Sequence, residues 1–195
     1  MTFRIHNTQI TLQFGFFAVV ALILCFCGGE QALPAFAACA VHECGHIAAA
    51  YLCGMQIEEI RFGLLGIHMC GNAHGVSYLR RAAVSLAGPL MNFIGFLLCL
   101  PLPQPYCAVQ LVLFVFHILP AAPLDGGTAL YCALCSVMPQ RRAGRLCTAV
   151  SVLLAFLLGV LGFSVLLRTR GNFTLLAAAM YIFIYIVLKQ REDLC

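Results

Sequence analysis

Charge is what this chain has least of. Only 9% of its 195 residues are Asp, Glu, Lys or Arg, and only seven are acidic. A soluble domain of this size would carry about a quarter. Tryptophan is absent altogether. No basic run interleaves with aromatics, so the net charge of +4 offers no footing for nucleic acid. What fills the chain instead is apolar: 63% of it, with a mean hydropathy of +0.98. That composition excludes a soluble globule and implies an integral membrane protein embedded in a lipid bilayer. The length suits one compact helical domain, 1–195, with no room for a soluble module.

Twelve cysteines would suggest a disulfide framework if they sat in loops. Most do not. Cys25, Cys27, Cys39, Cys44, Cys53, Cys99, Cys132, Cys135 and Cys147 fall in or at the ends of apolar spans, where cysteine behaves as a small hydrophobe. Cys132 and Cys135 form a C-x-x-C without a second pair or a βαβ context, which is a weak signal. Cys99 and Cys107 flank a short loop and are within reach of one another on an oxidising side.

The apolar runs predict an all-α polytopic membrane protein of about six transmembrane helices. The first span is expected from Ile10 to Phe26. It resembles a signal peptide with a small-x-small site at Ala35-Phe36-Ala37, but cleavage there would sever the next helix, so an uncleaved anchor is expected. Gly28-Gly29-Glu30 is read as a turn, and the second span runs from about Ala32 to Leu52. Residues 55–80 lose apolar character, alternate partly over 55–62 and are punctuated by glycine, which predicts a short strand or loop insertion. The third span, Ala82 to Leu100, contains Pro89 and should kink there. The fourth starts near Tyr106 and meets Pro120, Pro123, Gly126 and Gly127 around a single aspartate, the mark of a broken helix. Such backbone is tolerated at membrane depth only where it is buried in protein or lines a wet cavity. Arg141, Arg142 and Arg145 are read as a basic loop before the fifth span, Leu146 to Leu167. Phe173 to Leu188 is the sixth.

With six spans, Arg4, Arg61, Arg80, Arg81, Arg141, Arg142, Arg145, Lys189 and Arg191 collect on one side, against Arg168 and Arg170 on the other. Nine against two places both termini in the cytoplasm, as in a multi-pass protein of a bacterial cytoplasmic membrane. The second and fourth spans then run in the same direction.

The stretch that carries chemistry is His42-Glu43-Cys44-Gly45-His46. Two imidazoles four residues apart share one helix face and can reach one metal ion. Glu43, about 100° around the helix, can lean over that ion without ligating it. Cys44 should point away from it. Ionisable groups in an otherwise small, apolar segment are costly and default to function. A catalytic zinc wants three protein ligands and an open position. Of the seven acidic residues, only Glu43 and Asp125 lie inside apolar segments, so Asp125 is the natural third ligand. The bland reading of Asp125 is a cap on the broken helix. His117 competes for the role. It precedes Asp125 by about two helical turns, so both would not reach one ion unless the prolines fold the chain back, and it suits a hydrogen-bond donor near the site better. His68 and His74 lie in the insertion, where histidines are usually solvated.

These motifs occur together in a recognisable order: H-E-x-G-H, then Ala87-Gly88-Pro89-Leu90-Met91-Asn92, then Pro123-Leu124-Asp125-Gly126-Gly127. The combination, from about residue 30 to 130 with a core at 30–138, resembles the site-2 proteases, intramembrane zinc metalloproteases, and looks most like their stage IV sporulation protein FB branch. The resemblance implies one Zn²⁺ per chain held by His42, His46 and Asp125, Glu43 as general base, and Asn92 near the substrate or the oxyanion. It implies a membrane-embedded or membrane-associated protein as substrate, cut near the cytoplasmic face in regulated or sporulation-type proteolysis, with a membrane regulatory partner. His117 stands where the family block usually has Asn, and as a hydrogen-bond donor it is expected, like Asn92, near the substrate or the oxyanion. Neither a PDZ nor a CBS domain is expected. Two other classes would place the same groups at membrane depth: a divalent-metal transporter, which needs a chain of sites and an inverted repeat that the sequence does not display, and a catalytically silent scaffold, which would not need the full set of ligands and base.

Overall fold

The computed structural model describes residues 2–5, 8–12, 14–63, 66–72, 75–101, 104–169 and 171–192. They form two compact units, one up to Val115 and one from Phe116 onward.

The first unit opens with strands rather than a span. β1 (Thr2–Ile5) and β2 (Thr8–Leu12) pair antiparallel, and the helical run α1 (Phe14–Leu52) follows. The expected start of the first span at Ile10 therefore falls inside β2. Thr8, Thr11 and Ile10 are good strand formers, and the ladder they join overrides an apolar run that begins in the same place. After α1 come β3 (Gln56–Gly63) and β4 (Gly66–Asn72), an antiparallel pair with a bulge between Ile57 and Glu59. One four-stranded sheet results, in the order β1-β2-β3-β4, with β2 parallel to β3. The Thr11 hydroxyl ties these two strands by donating to Glu59 Oε1 at 2.9 Å. The chain is thus mostly helical but not all-α.

The parallel pairing constrains α1. Its 39 residues are helical without interruption, and Gly28-Gly29-Glu30 is part of the run rather than a turn outside it. A straight helix of that length would be about 58 Å long. Yet Leu12 pairs with Phe62, only ten residues past Leu52, which holds the two ends within about 48 Å even with the connecting chain fully extended. The run must therefore bend sharply. Adjacent small residues such as Gly28 and Gly29 are where a helix bends at least cost.

α2 (Tyr78–Leu98) begins at Ser77, whose hydroxyl accepts from the Arg80 N–H, and continues through Pro89 without a break. It packs against α1. Gly45 makes that approach close: a Cβ there would lie 2.7 Å from the Ala87 carbonyl oxygen and from Met91 Cγ. α3 (Gln104–His117) leans on the far part of α2, where Phe93 and Phe114 stack at 5.0 Å and buried Gln110 lies against Gly95. Cys99 and Cys107 are free thiols, and Cys107 donates to the Cys99 carbonyl.

In the second unit the helix break is explicit. Seven residues separate the end of α3 from α4 (Asp125–Cys135). α5 (Gln140–Thr169) and α6 (Thr174–Glu192) follow. Arg141, Arg142 and Arg145 lie in the opening turns of α5 rather than in a loop, because Pro139 starts a helix as readily as it ends one. Ala121, Leu124, Ala155, Ile182 and Ile186 form the core. α5 turns small residues inward, Ala143, Cys147, Ser151, Ala155 and Gly162, and leaves Leu153, Phe156, Leu157, Leu161 and Phe163 exposed. Small inside and large outside is the pattern of a helix whose solvent is lipid. Among the described residues, α2 and α5 are long and apolar enough to cross a membrane, and α3 and Thr174–Leu188 are shorter apolar helices.

Ser151 pins the break. The Ala122 N–H donates to Ser151 Oγ at 2.9 Å, and the Ser151 hydroxyl donates to the Cys147 carbonyl at 2.7 Å. Ser151→Ala leaves the Ala122 N–H without its acceptor in a site that is 1% exposed, at a cost of about 1–3 kcal/mol. The expected result is a lower thermal midpoint in detergent, and Ser151→Thr should recover most of it.

Candidate metal centre

His42 and His46 are buried where α1 meets α2. Three residues of α2 one turn apart, Val84, Gly88 and Asn92, face them. His46 Nδ1 donates to the Val84 carbonyl oxygen at 2.8 Å, and His42 Nδ1 lies 3.1 Å from Asn92 Oδ1. A carbonyl only accepts, so His46 carries its proton on Nδ1 and turns the Nε2 lone pair the other way. With Asn92 Oδ1 as acceptor, His42 does the same. The two Nε2 atoms stand 3.1 Å apart, with the rings nearly perpendicular at 82°.

Two lone pairs converging in an apolar setting need a positive charge between them. Nitrogens at about 2.0–2.1 Å from a tetrahedral zinc lie about 3.3 Å apart. The observed separation fits that donor set, and the pinned Nδ1 atoms are the usual outer partners of metal-binding histidines. Gly88 supplies the space. A Cβ on it would collide with His46 Nε2 and lie 2.9 Å from His42 Nε2, filling the place an ion would take.

Asn92 is fully buried, and its Nδ2 finds no partner among the described residues. Glu43, next to His42 in sequence, is partly buried, and Cys44 is exposed. His68 lies in β4 with its backbone opposite Arg61. His74 lies outside the described residues.

In the second unit, His117 closes α3 and Asp125 opens α4. Pro120 and Pro123 fold the seven intervening residues back on themselves, with a cis Ala122–Pro123 bond. Gly126 and Gly127 let the first turn of α4 rest directly on this segment, where Cβ atoms would strike the backbone of Ile118 and Ala121. The side chains of His117 and Asp125 consequently meet, with His117 Nδ1 2.7 Å from Asp125 Oδ2. The structure thus brings His42, His46 and Asn92 together in one unit and His117 and Asp125 together in the other. Sequence reasoning did not find the Val84 carbonyl, which has no side-chain signal. Gly88 entered it only as part of a motif, although a glycine one turn before Asn92 on the same helix face was a visible sign of close approach.

The fold has a solved counterpart. A site-2 protease from Methanocaldococcus jannaschii superimposes with a TM-score of 0.70, covering 96% of this chain and 94% of the other at 20% sequence identity. The chain has the site-2 protease fold. It is also 31% identical over 112 residues to a Synechocystis sp. protein whose name marks it as a candidate zinc metalloprotease. The match spans 51% of this chain and only 30% of that relative. No family model matches the sequence.

Gly88→Ala should abolish stoichiometric zinc in the purified protein while the helices persist. Metal analysis beside circular dichroism checks this, and wild-type zinc content in that variant would mean the ion does not sit between the two Nε2 atoms.

Proposed function

We propose that this chain is an intramembrane zinc metalloprotease of the site-2 type, cutting a membrane-embedded or membrane-associated protein near the cytoplasmic face. The observation that carries the reading is the buried imidazole pair, both Nδ1 atoms pinned and both Nε2 atoms converging at 3.1 Å. The fold likeness and the name of the partial relative point the same way.

His42 and His46 are proposed as two ligands and Asp125 as the third. The sequence supports Asp125, the one acid besides Glu43 inside an apolar segment, in a Pro-Leu-Asp-Gly-Gly block. Zinc, when bound, polarises a carbonyl and makes water a stronger acid. Glu43, beside His42, takes the proton from the attacking water and returns it to the leaving amine. Asn92 holds His42 through Oδ1, and its Nδ2 is the donor left for a peptide carbonyl oxygen as charge grows there. A helical peptide bond is shielded by its own hydrogen bonds, so the substrate must be held extended. Residues 55–62 offer no free edge for this, because β3 is flanked by β2 and β4. Strand addition falls instead to a free edge, and β4 is the one contiguous with the insertion. The arginine distribution supports cytoplasmic termini in a bacterial membrane. The sequence motifs support membership of the sporulation FB-like branch, with a membrane regulator.

The test is a single-span model substrate in proteoliposomes. Glu43→Gln should retain zinc and lose cleavage by about 10²–10⁴-fold, whereas Asp125→Ala should lose zinc and cleavage together. Wild-type cleavage by Glu43→Gln would remove the assigned base. Full zinc in Asp125→Ala would remove the third ligand.

A further inference from the structure

We infer that His117 is a positioning residue for the third ligand: its Nδ1–H holds Asp125 Oδ2 so that ligation falls to the other carboxylate oxygen. The inference rests on the proposed role of Asp125 as a zinc ligand and goes beyond it.

The geometry makes Asp125 a poor ligand unless something restrains it. It is the first residue of α4, and the residue before it, Leu124, has no side chain that can cap the helix. The first-turn N–H groups of a helix lack intrahelical acceptors and attract a nearby carboxylate. Asp125 followed by two glycines therefore has competing donors on its own backbone. His117 Nδ1 reaches the carboxylate at 2.7 Å across the break, from the last turn of α3. The fold that achieves this is specific. Ser151 holds the Ala122 N–H, and Gly126 and Gly127 seat α4 on the backbone of Ile118 and Ala121. Phe116 backs the imidazole edge-on at 5.8 Å.

A carboxylate with one oxygen engaged by an N–H donor presents a single, oriented oxygen and keeps one rotamer. That is the service an outer-shell partner renders a ligand, and losing such a partner typically weakens metal binding about 10–100-fold. The relevant group is a donor two bonds from Cβ. Asparagine carries its amide nitrogen at the same branch, so it should substitute, whereas phenylalanine keeps the ring and removes the donor.

The experiment measures zinc affinity of the full-length protein in detergent by competition with a chromophoric chelator, beside the melting temperature of the zinc-free form. His117→Phe should bind zinc about 10–100-fold more weakly than wild type, and His117→Asn should bind it nearly as tightly as wild type. The zinc-free melting temperatures should stay close to one another. Asp125→Ala is the control and should lose more than His117→Phe. Undiminished affinity in His117→Phe overturns the inference, and so does an Asn variant as weak as the Phe variant, because the donor would then not be what matters. If Asp125→Ala binds zinc as wild type does, the ligand assignment itself fails and this inference falls with it. If His117→Phe is destabilised without metal, the His117→Asn comparison still decides between donor and ring.

Discussion

Two imidazoles cannot be buried in an apolar helix pair unless each of their four nitrogens has a partner. That requirement organises the first unit. Burial of an unpaired polar group costs several kcal/mol at worst and about 1–3 kcal/mol in typical proteins. α2 meets the demand for two nitrogens with a carbonyl at Val84 and a carboxamide at Asn92, and leaves the other two facing one another. Gly45 and Gly88 are what allow the helices to come near enough for this, since either methyl would force them apart or fill the gap. The polar demand and the steric permission are therefore two halves of one arrangement.

The second unit solves a different problem, which is how to stop a helix in an apolar environment and start another with a carboxylate on its first residue. Its solution uses Ser151 from α5 to accept the Ala122 N–H, and a pair of glycines to seat the new helix on the segment just crossed. Around it, large side chains are turned outward along α5 and small ones inward. In water such an arrangement would squander the hydrophobic effect. In lipid it costs nothing, and close backbone packing takes over as the source of cohesion.

Much of this was legible before any coordinates. The pairing of His42 with His46 follows from 3.6 residues per turn. Asp125 draws the eye because acids are rare in apolar segments, and the break around it is announced by two prolines and two glycines. Other features were hidden for identifiable reasons. That His117 would touch Asp125 depends on the path of residues 118–124, which spacing along a helix cannot supply. The role of Asn92 toward His42 needs the register of α2 on α1. The strands β1 and β2 were invisible because Ile10-Thr11-Leu12 reads equally well as the start of an apolar helix, and only pairing with β3 decides the matter. The same pairing explains why residues 55–62 are not an edge. Pro89 lies inside α2 and is fully buried, and the helix is one continuous element through it.

The parallel junction of β2 with β3 also sets an order of events during synthesis. β1 and β2 are made before β3 and can close their hairpin locally, but the strand that β2 must meet emerges only after all of Phe14–Leu52 has been made. β2 must therefore wait, one edge unsatisfied, until the intervening helical run has been made. Sheet completion becomes a late step in biogenesis, one that requires the two ends of that run to have been brought together.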